Sequence, residues 1–371
     1  MVKVNTRWRV LLLCNYSPMY GGNFIPSLLA LEKEIVSRGG ECVYAFPVQA
    51  KKRSWFKQLM QMGKTVVTID FLQTRYKQLC AISDIIKRYQ ITHIHSHFCS
   101  TLLLEIVAYL HPAVTVIIHL HSDWSLGTTS WKQKLKFFML YKLLAARVRF
   151  LSVSSAFVAY NPAKITYVPN ALATERLPAV SVDRAELRRR WGISERDVLC
   201  EIFAWSPLVK GLDIAAEAVK QVRAKGVAVK LAVVYGDAMP PEKLQTWLGA
   251  HTSCSGKEDF LLYVPPTEDV FSYHRAADIL ISASRSEGFP YSILEMLSLG
   301  KPCVMSDIPG VAWAKQFENT FVFPSENSAA CAVALEKALA APKMLEKTVQ
   351  KIGATYNIAN WVKTVVAHYE Q

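Results

Sequence analysis

The sequence predicts an α/β protein built from two Rossmann-like halves, each with a parallel sheet flanked by helices. Its length of 371 residues is typical of two domains of ordinary size. Short apolar strand segments alternate with helical segments, which is the pattern of a parallel sheet. The alternation stops at a predicted linker over Thr174–Asp183 and then begins again.

The first half opens with a strand, a loop and a helix. Arg9–Cys14 is an apolar run, and a loop over Asn15–Asn23 contains Gly21 and Gly22. The spacing of leucine and isoleucine predicts a helix over Ile25–Ser37. The other elements predicted in this half are strands at Cys42–Phe46, Val66–Ile69, His93–His97, Val114–Leu120, Phe150–Ser154 and Ile165–Val168, and helices at Phe71–Tyr89, Thr101–Leu110 and Ser130–Ala146.

The second half repeats the alternation as far as the C-terminal helices. Its predicted helices are Arg184–Trp191, Ile214–Ala224 and Tyr291–Leu299, and its predicted strands are Val198–Ala204, Lys230–Val234, Phe260–Val264, Ile279–Ile281, Cys303–Ser306 and Thr320–Phe323.

A loop of small residues joins the strand Ile279–Ile281 to the helix Tyr291–Leu299. The N-terminus of a helix attracts anions, because its first N–H groups lack partners and the helix dipole is positive there. Glu287 in the loop and Glu295 in the helix add two carboxylates, which accept hydrogen bonds from hydroxyls. The pair suits a sugar or ribose joined to a phosphate. Taken singly, either glutamate is better explained by the helix dipole or by solvation.

The spacing of these two carboxylates carries a family resemblance. Seven residues separate Glu287 from Glu295, within the frame Ser-Glu-Gly-Phe, Leu-Glu-Met and Gly-Lys-Pro, and Cys303–Gly310 continues it. This stretch closely resembles the E-x7-E motif of retaining GT-B glycosyltransferases of family 4. The resemblance extends more weakly to Lys210-Gly211, His121 and Gly21-Gly22.

The resemblance implies a GT-B fold, with two Rossmann-like domains facing across a cleft. Residues 1–174 would be the acceptor domain, 175–350 the nucleotide-sugar donor domain, and 351–371 a helix returning to the first domain. It also implies transfer of a sugar from a nucleotide-sugar to a hydroxyl acceptor with retention. No cofactor and no obligatory metal are expected.

The resemblance also assigns roles to particular residues. Three catalytic residues are expected: His121, Glu287 and Lys210. The expected donor-binding residues are Gly21, Gly22, Lys210, Glu287, Gly288, Phe289, Tyr291, Ser292 and Glu295. The chain departs from the family pattern at Trp205, where an arginine is usual, and at Pro290, where a glycine is common. Arg285 and Arg275 are candidates to replace that arginine.

The formal net charge of +13 predicts an anionic partner. The positive charge is concentrated in the first half, where two acid-free stretches contain Lys51–Lys57 and Trp131–Arg149 with aromatic residues. These stretches indicate an anionic membrane surface and a lipid-linked saccharide acceptor, as in cell-surface polysaccharide synthesis. Solvated surface is the alternative, and no nucleic-acid-binding module is present.

Histidines and cysteines suggest two further site types. His93, His95 and His97 alternate on a predicted strand, so they share a face and raise the idea of a metal site. Because neither a D-x-D motif nor metal-type Cys/His spacing accompanies them, the sequence favours a polar network and no metal. The eight cysteines form no C-x-x-C pair and predict reduced thiols. Without a signal peptide or spanning segment, we expect a cytoplasmic protein, peripheral on the inner face of the membrane.

Two other functions remain open at this point. A GT-B nucleotide-sugar epimerase would need further acid and base groups around the sugar, and the sequence does not reveal them. A catalytically silent partner subunit would explain the departures at Trp205 and Pro290.

Overall fold

The computed structural model describes residues 8–122, 148–160, 165–177, 182–342 and 344–370. The chain divides into two compact units. The first comprises Met1–Ala171 and Ile358–Gln371, and the second comprises Leu172–Asn357. Each unit contains one parallel sheet covered by helices. The predicted α/β class with two Rossmann-like domains is therefore confirmed.

The sheet of the first unit has seven described strands in the order β3-β2-β1-β4-β5-β6-β7. These strands are β1 Arg9–Cys14, β2 Glu41–Pro47, β3 Val66–Ile69, β4 His93–His97, β5 Thr115–Leu120, β6 Val148–Ser152 and β7 Ile165–Tyr167. The strand order reverses between β1 and β4. In such sheets ligands bind outside the carboxyl ends of the strands at the point of reversal.

Helices cover both faces of this sheet. They are Phe24–Ser37, Ser54–Gln61, Arg75–Tyr89, Thr101–Leu110, Ser155–Tyr160 and Ile358–Val366, with a 3-10 turn at Val48–Lys52. The helix Arg75–Tyr89 starts four residues later than predicted, because the Thr74 side chain accepts the Lys77 N–H and caps it there. Trp361 and Tyr369 join the core of this unit from the C-terminal segment.

The second unit has six described strands in the order β10-β9-β8-β11-β12-β13. They are β8 Val198–Phe203, β9 Val229–Val234, β10 Leu261–Val264, β11 Ile279–Ser282, β12 Cys303–Asp307 and β13 Thr320–Pro324. The order reverses between β8 and β11, so the loops that follow these two strands are neighbours. These are the loops that carry Lys210 and Glu287.

Eight helices and two 3-10 turns complete the described part of the second unit. The helices are Arg184–Arg190, Pro207–Lys210, Leu212–Ala224, Pro241–His251, Val270–Ala276, Tyr291–Ser298, Ser328–Leu339 and Glu346–Thr355, and the turns are Thr174–Arg176 and Pro309–Gln316.

The first basic and aromatic stretch differs from its prediction. Lys51–Lys57 runs into the helix Ser54–Gln61, and Trp55 and Phe56 are only 1% and 8% exposed within the core. The Trp55 indole donates to the Pro18 carbonyl at 3.0 Å. These rings are therefore not available to a membrane, whereas Lys51, Lys52 and Lys57 are exposed. Most of Trp131–Arg149, and the helix predicted over Ser130–Ala146, lie outside the described residues. Among the described helices, none is long and apolar enough to cross a membrane.

Candidate active site

Lys210 and Glu287 meet at the point where the order of the second sheet reverses. Lys210 ends a one-turn helix after β8, and Gly211 follows it at φ +66°. A Cβ on Gly211 would lie 2.0 Å from the Ala283 carbonyl oxygen, so glycine lets this loop pack against the end of β11. Lys210 Nζ thereby lies 2.5 Å from Glu287 Oε1. The Ser284 hydroxyl donates to the same oxygen at 2.7 Å.

The loop that carries Glu287 is fixed by close backbone contacts. A Cβ on Gly310 would lie 1.9 Å from the Glu287 carbonyl oxygen, so the loop after β12 touches the loop after β11. The Arg285 N–H donates to the Val209 carbonyl at 2.8 Å. The loops after three neighbouring strands, β8, β11 and β12, therefore contact one another. The glutamate is held in place before any ligand arrives.

The two arginines that were candidates for the family's arginine are both engaged in other contacts. The Arg285 guanidinium binds both carboxylate oxygens of Asp213, at 3.0 and 2.7 Å. Arg275 donates to the Leu177 carbonyl at 2.8 Å. Trp205 stands in the usual arginine position and is 58% exposed, with Lys210 Nζ 5.1 Å from its ring centroid. Among these residues, Lys210 is the cation beside Glu287.

Glu295 lies in a separate buried network. It sits in the helix Tyr291–Ser298 and is 6% exposed. Arg176 donates to its Oε1 at 3.1 Å, and His274 Nε2 lies 3.2 Å from its Oε2. The other ring nitrogen of His274 bonds Glu201, a residue of β8. Arg176, Glu201 and His274 were not among the site residues predicted from the sequence.

The other predicted donor-binding residues of the second unit surround the start of the same helix. Gly288 is buried in the loop, and Tyr291 and Ser292 are half-buried in the first turn. Phe289 is buried, and its ring stacks on Trp313 with centroids 4.2 Å apart. The Phe289 side chain is therefore a packing residue, and its contact with a donor stays a prediction.

His121 follows β5 in the first unit, at the carboxyl edge predicted for it. Its Nε2 lies 2.8 Å from His97 Nδ1, and Phe98 stacks on its ring at 4.2 Å. Phe98 adopts φ +60°, a conformation uncommon for a bulky side chain. Burial, followed by the neighbouring His119 and His95, lowers the pKa of His121 well below its usual value. His121 is therefore neutral at neutral pH.

Gly21 and Gly22 have local structural roles in the first unit. Gly21 is buried, and a Cβ there would lie 3.0 Å from Ile25 Cγ1. Gly22 adopts φ +54°, which favours glycine. Both residues shape the turn into the helix Phe24–Ser37. Their contact with a donor stays a prediction.

The histidine cluster lies on one face of β4 and β5. His95, His97 and His119 offer ring nitrogens within 4.8 Å of one another. However, His95 Nε2 lies 3.3 Å from His119 Nδ1, within hydrogen-bond distance. His95 Nδ1 also lies 2.8 Å from the Tyr369 hydroxyl. These contacts form a polar network, as the sequence predicts, and the expected absence of a metal stays a prediction.

Residues 201–341 match the family model described as Glycosyl transferases group 1. This segment is a glycosyl transferases group 1 domain. It contains Lys210, Glu287 and Glu295, together with Glu201 and His274 of the buried network. The residues that meet at the reversal point of the second sheet therefore belong to the domain that carries the family resemblance.

Comparison with known proteins extends the similarity beyond this domain. Over 247 residues the chain is 22% identical to the UDP-Gal:alpha-D-GlcNAc-diphosphoundecaprenol alpha-1,3-galactosyltransferase of Escherichia coli, covering 63% of this chain and 62% of that protein. A Rickettsia africae glycosyltransferase structure superimposes with a TM-score of 0.78 at 13% identity, covering 98% of both chains. The structure of Anabaena HepE in complex with UDP and glucose superimposes with a TM-score of 0.76 at 15% identity, covering 98% of this chain and 100% of that chain. The fold is the GT-B fold.

One signal in the glycosyl transferases group 1 domain pointed to the missed network. Glu201 lies within the strand Val198–Phe203, whose other residues are apolar or cysteine. A charged residue inside a buried strand needs a partner of opposite charge. The identity of that partner was hidden, because His274 is 73 residues away in the sequence.

Proposed function

We propose that this chain is a retaining glycosyltransferase that moves a sugar from a nucleotide-sugar to a hydroxyl acceptor. The Lys210–Glu287 pair carries the proposal. It joins a compact cation to a carboxylate at the reversal point of a parallel sheet, inside a glycosyl transferases group 1 domain. A lysine is a point charge suited to a diphosphate, and a carboxylate accepts hydrogen bonds from sugar hydroxyls.

In the proposed reaction, the bond from the anomeric carbon to the diphosphate oxygen breaks. A bond to the acceptor oxygen forms on the same face, and the acceptor's proton passes to the leaving diphosphate. Lys210 stabilises the negative charge that develops on that diphosphate, and Glu287 holds the sugar. Such electrostatic stabilisation is often the largest single contribution to catalysis. His121, neutral and at the carboxyl edge of the first sheet, is proposed to contact the sugar and the acceptor.

The donor and acceptor are proposed from the relatives together with the charge of the chain. The Escherichia coli relative is named for UDP-Gal and a diphosphoundecaprenol-linked acceptor, and the Anabaena structure contains UDP and glucose. A UDP-sugar donor and a lipid-linked saccharide acceptor are therefore proposed for this chain. The exposed Lys51, Lys52 and Lys57 agree with an acceptor at an anionic membrane.

The test is a panel of UDP-, GDP- and ADP-sugars with and without a diphospholipid-linked N-acetylglucosamine. The proposal expects one donor to give a glycosylated lipid whose new linkage keeps the anomeric configuration of the donor. An inverted linkage overturns retention, and an epimerised donor indicates an isomerase. Binding without turnover with any acceptor supports a silent partner. Glu287→Gln tests whether product forms at this site, and Glu318→Gln, an exposed glutamate of the same unit, is the matched control.

A further inference from the structure

Four charged side chains of the second unit form a chain of contacts inside the protein. Glu201 is 1% exposed, His274 is fully buried and Glu295 is 6% exposed. His274 bonds Glu201 through Nδ1 and lies 3.2 Å from Glu295 through Nε2. Arg176 then donates to the other oxygen of Glu295 at 3.1 Å. The four groups come from β8, from the helices Val270–Ala276 and Tyr291–Ser298, and from the turn Thr174–Arg176.

The charges of the network balance only when His274 is protonated. Glu201 and Glu295 then contribute two negative charges, and His274 and Arg176 contribute two positive ones. Burial on its own would lower the pKa of His274, but the carboxylates of Glu201 and Glu295 raise it to about 9. A neutral imidazole would have a hydrogen on only one ring nitrogen and could donate to one carboxylate alone. Two carboxylates on opposite sides of the ring therefore select the imidazolium.

This arrangement fixes the orientation of Glu295. One carboxylate oxygen faces Arg176 and the other faces His274, so rotation of the carboxylate would break a charge-assisted contact on each side. The helix backbone is tied as well, because the Ser298 hydroxyl donates to the Glu295 carbonyl at 2.6 Å. The ring of His274 is in turn held by Glu201 on its far side.

We infer that His274 is a positioning residue, which spans Glu201 and Glu295 and holds the Glu295 carboxylate in the orientation that binds the nucleotide-sugar. The inference rests on the proposed function and on the donor-binding role predicted for Glu295. Glu201 then acts indirectly, because it fixes the orientation of the His274 imidazolium. None of these assignments places His274 or Glu201 in contact with the donor.

The first test measures donor affinity by calorimetry, using the nucleotide-sugar that the wild type turns over. His274→Gln should weaken binding about tenfold, the size of one lost charge-assisted hydrogen bond. The KM for the donor should rise by a similar factor, while kcat at saturating donor changes little. The exposed His251, at the end of the helix Pro241–His251, provides the matched control His251→Gln, which should bind like wild type.

A second variant keeps the test valid if His274→Gln does not fold. The single substitution leaves two buried carboxylates beside one arginine. In His274→Gln with Glu201→Gln, the remaining pair of Glu295 and Arg176 is neutral, so this protein should fold. It should still bind the donor about tenfold more weakly than wild type. Wild-type affinity in this double variant overturns the inference, because Glu295 would then hold the donor without its anchor.

A spectroscopic test reports on the bridge itself. Nitrogen-15 NMR of histidine-labelled protein at pH 7.5 should show one histidine with both ring nitrogens protonated, and that signal should be missing in His274→Gln. Lys301 donates to the His274 carbonyl and has a pKa lowered by burial to about 8, so a pH titration of donor affinity would mix two groups. A neutral His274 at pH 7.5 overturns the inference. A wild type that binds no nucleotide-sugar instead overturns the proposed function, whatever the variants do.

Discussion

At the scale of single residues, the two glutamates of the motif have different surroundings. Glu287 pairs with Lys210 and Ser284 in a loop, whereas Glu295 is held by two cations inside the unit. A carboxylate beside a lysine at the edge of the sheet suits the reacting sugar. A buried carboxylate of fixed orientation suits recognition of the donor. The two residues therefore give equal signals in the sequence but have different surroundings in the structure.

Glu287→Gln should lower turnover about a hundredfold and leave binding of free nucleoside diphosphate nearly unchanged. Glutamine keeps the shape but loses the charge that orients Lys210 and accepts from sugar hydroxyls. Steady-state kinetics and calorimetry with the free diphosphate provide the two measurements. A comparable loss in both would place Glu287 on the nucleotide rather than on the sugar.

At the scale of elements, the sequence predicted the bounds of strands better than it predicted the short helices that pack around them. The strands Arg9–Cys14 and Val66–Ile69 have the predicted bounds. The first is apolar from Val10 onwards, because a buried parallel strand is covered on both faces. The helix Ser54–Gln61 was missed, because Lys57 and the basic residues before the helix suggested a surface stretch, whereas Trp55 and Phe56 are core residues. Short helices rely on tertiary packing, which a single sequence does not display.

Contacts between distant residues in the candidate active site are also difficult to predict from a single sequence. The family resemblance predicted donor-binding roles for Lys210 and Glu287 but not their contact, which depends on β8 and β11 being neighbours in the sheet. The ionic chain through His274 joins elements far apart in the sequence, and no periodicity encodes such a contact. Its only trace was the lone Glu201 in an apolar strand.

The contact between the loops after β11 and β12 leads to a prediction about stability. Gly310→Ala should destabilise the protein by about 1–3 kcal/mol and weaken donor binding, because the new Cβ displaces the Glu287 carbonyl. Gly353→Ala is the matched control, since it lies in the helix Glu346–Thr355 and its Cβ would meet nothing within 4 Å. That change should stabilise by roughly 0.5–1 kcal/mol. Urea denaturation measures both, and an unaffected Gly310→Ala would contradict the described contact.

At the scale of the whole molecule, the buried histidines of the two units respond to pH with opposite signs. Burial lowers the pKa values of a set of histidines in the first unit, with His119 at about 4; the set is His95, His97, His119 and His121. Below about pH 6.5 the unfolded chain binds more protons than the folded unit, so stability is lost as the pH falls. His274 in the second unit has a raised pKa. Its contribution is complete below about pH 6.5 and is lost as the pH rises through about 9.

Acidification from pH 7.5 to 5 should therefore weaken the first unit before the second. Glu105 opposes this trend, because burial raises its pKa to about 7 and its contribution is lost as the pH rises through that value. The four histidines together contribute more to the pH dependence of stability in the first unit than the single carboxyl group of Glu105. Hydrogen exchange corrected for intrinsic rates and resolved by mass spectrometry should show protection falling first in β4 and β5. Earlier loss in the strands of the second unit would contradict the assigned signs.

The distribution of charge leads to a last prediction, which concerns binding to an anionic membrane. With Trp55 and Phe56 buried, attraction to a membrane through this stretch is electrostatic and rests on the exposed Lys51, Lys52 and Lys57. Arg53 is held by the Ser17 carbonyl at 2.9 Å and contributes less. Each surface lysine is worth about 1 kcal/mol near an anionic leaflet.

Replacing these three lysines by glutamine should therefore weaken binding to vesicles rich in phosphatidylglycerol by at least tenfold at low salt, while donor affinity stays unchanged. The same replacement at Lys243, Lys257 and Lys347, exposed lysines of the second unit, is the control of equal charge. Sedimentation with vesicles at 50 and 300 mM salt should show steep loss of wild-type binding, because salt screens surface charges. Equal loss in both variants would indicate attraction by total charge alone, and the lysines beside Trp55 would then be ordinary solvated surface.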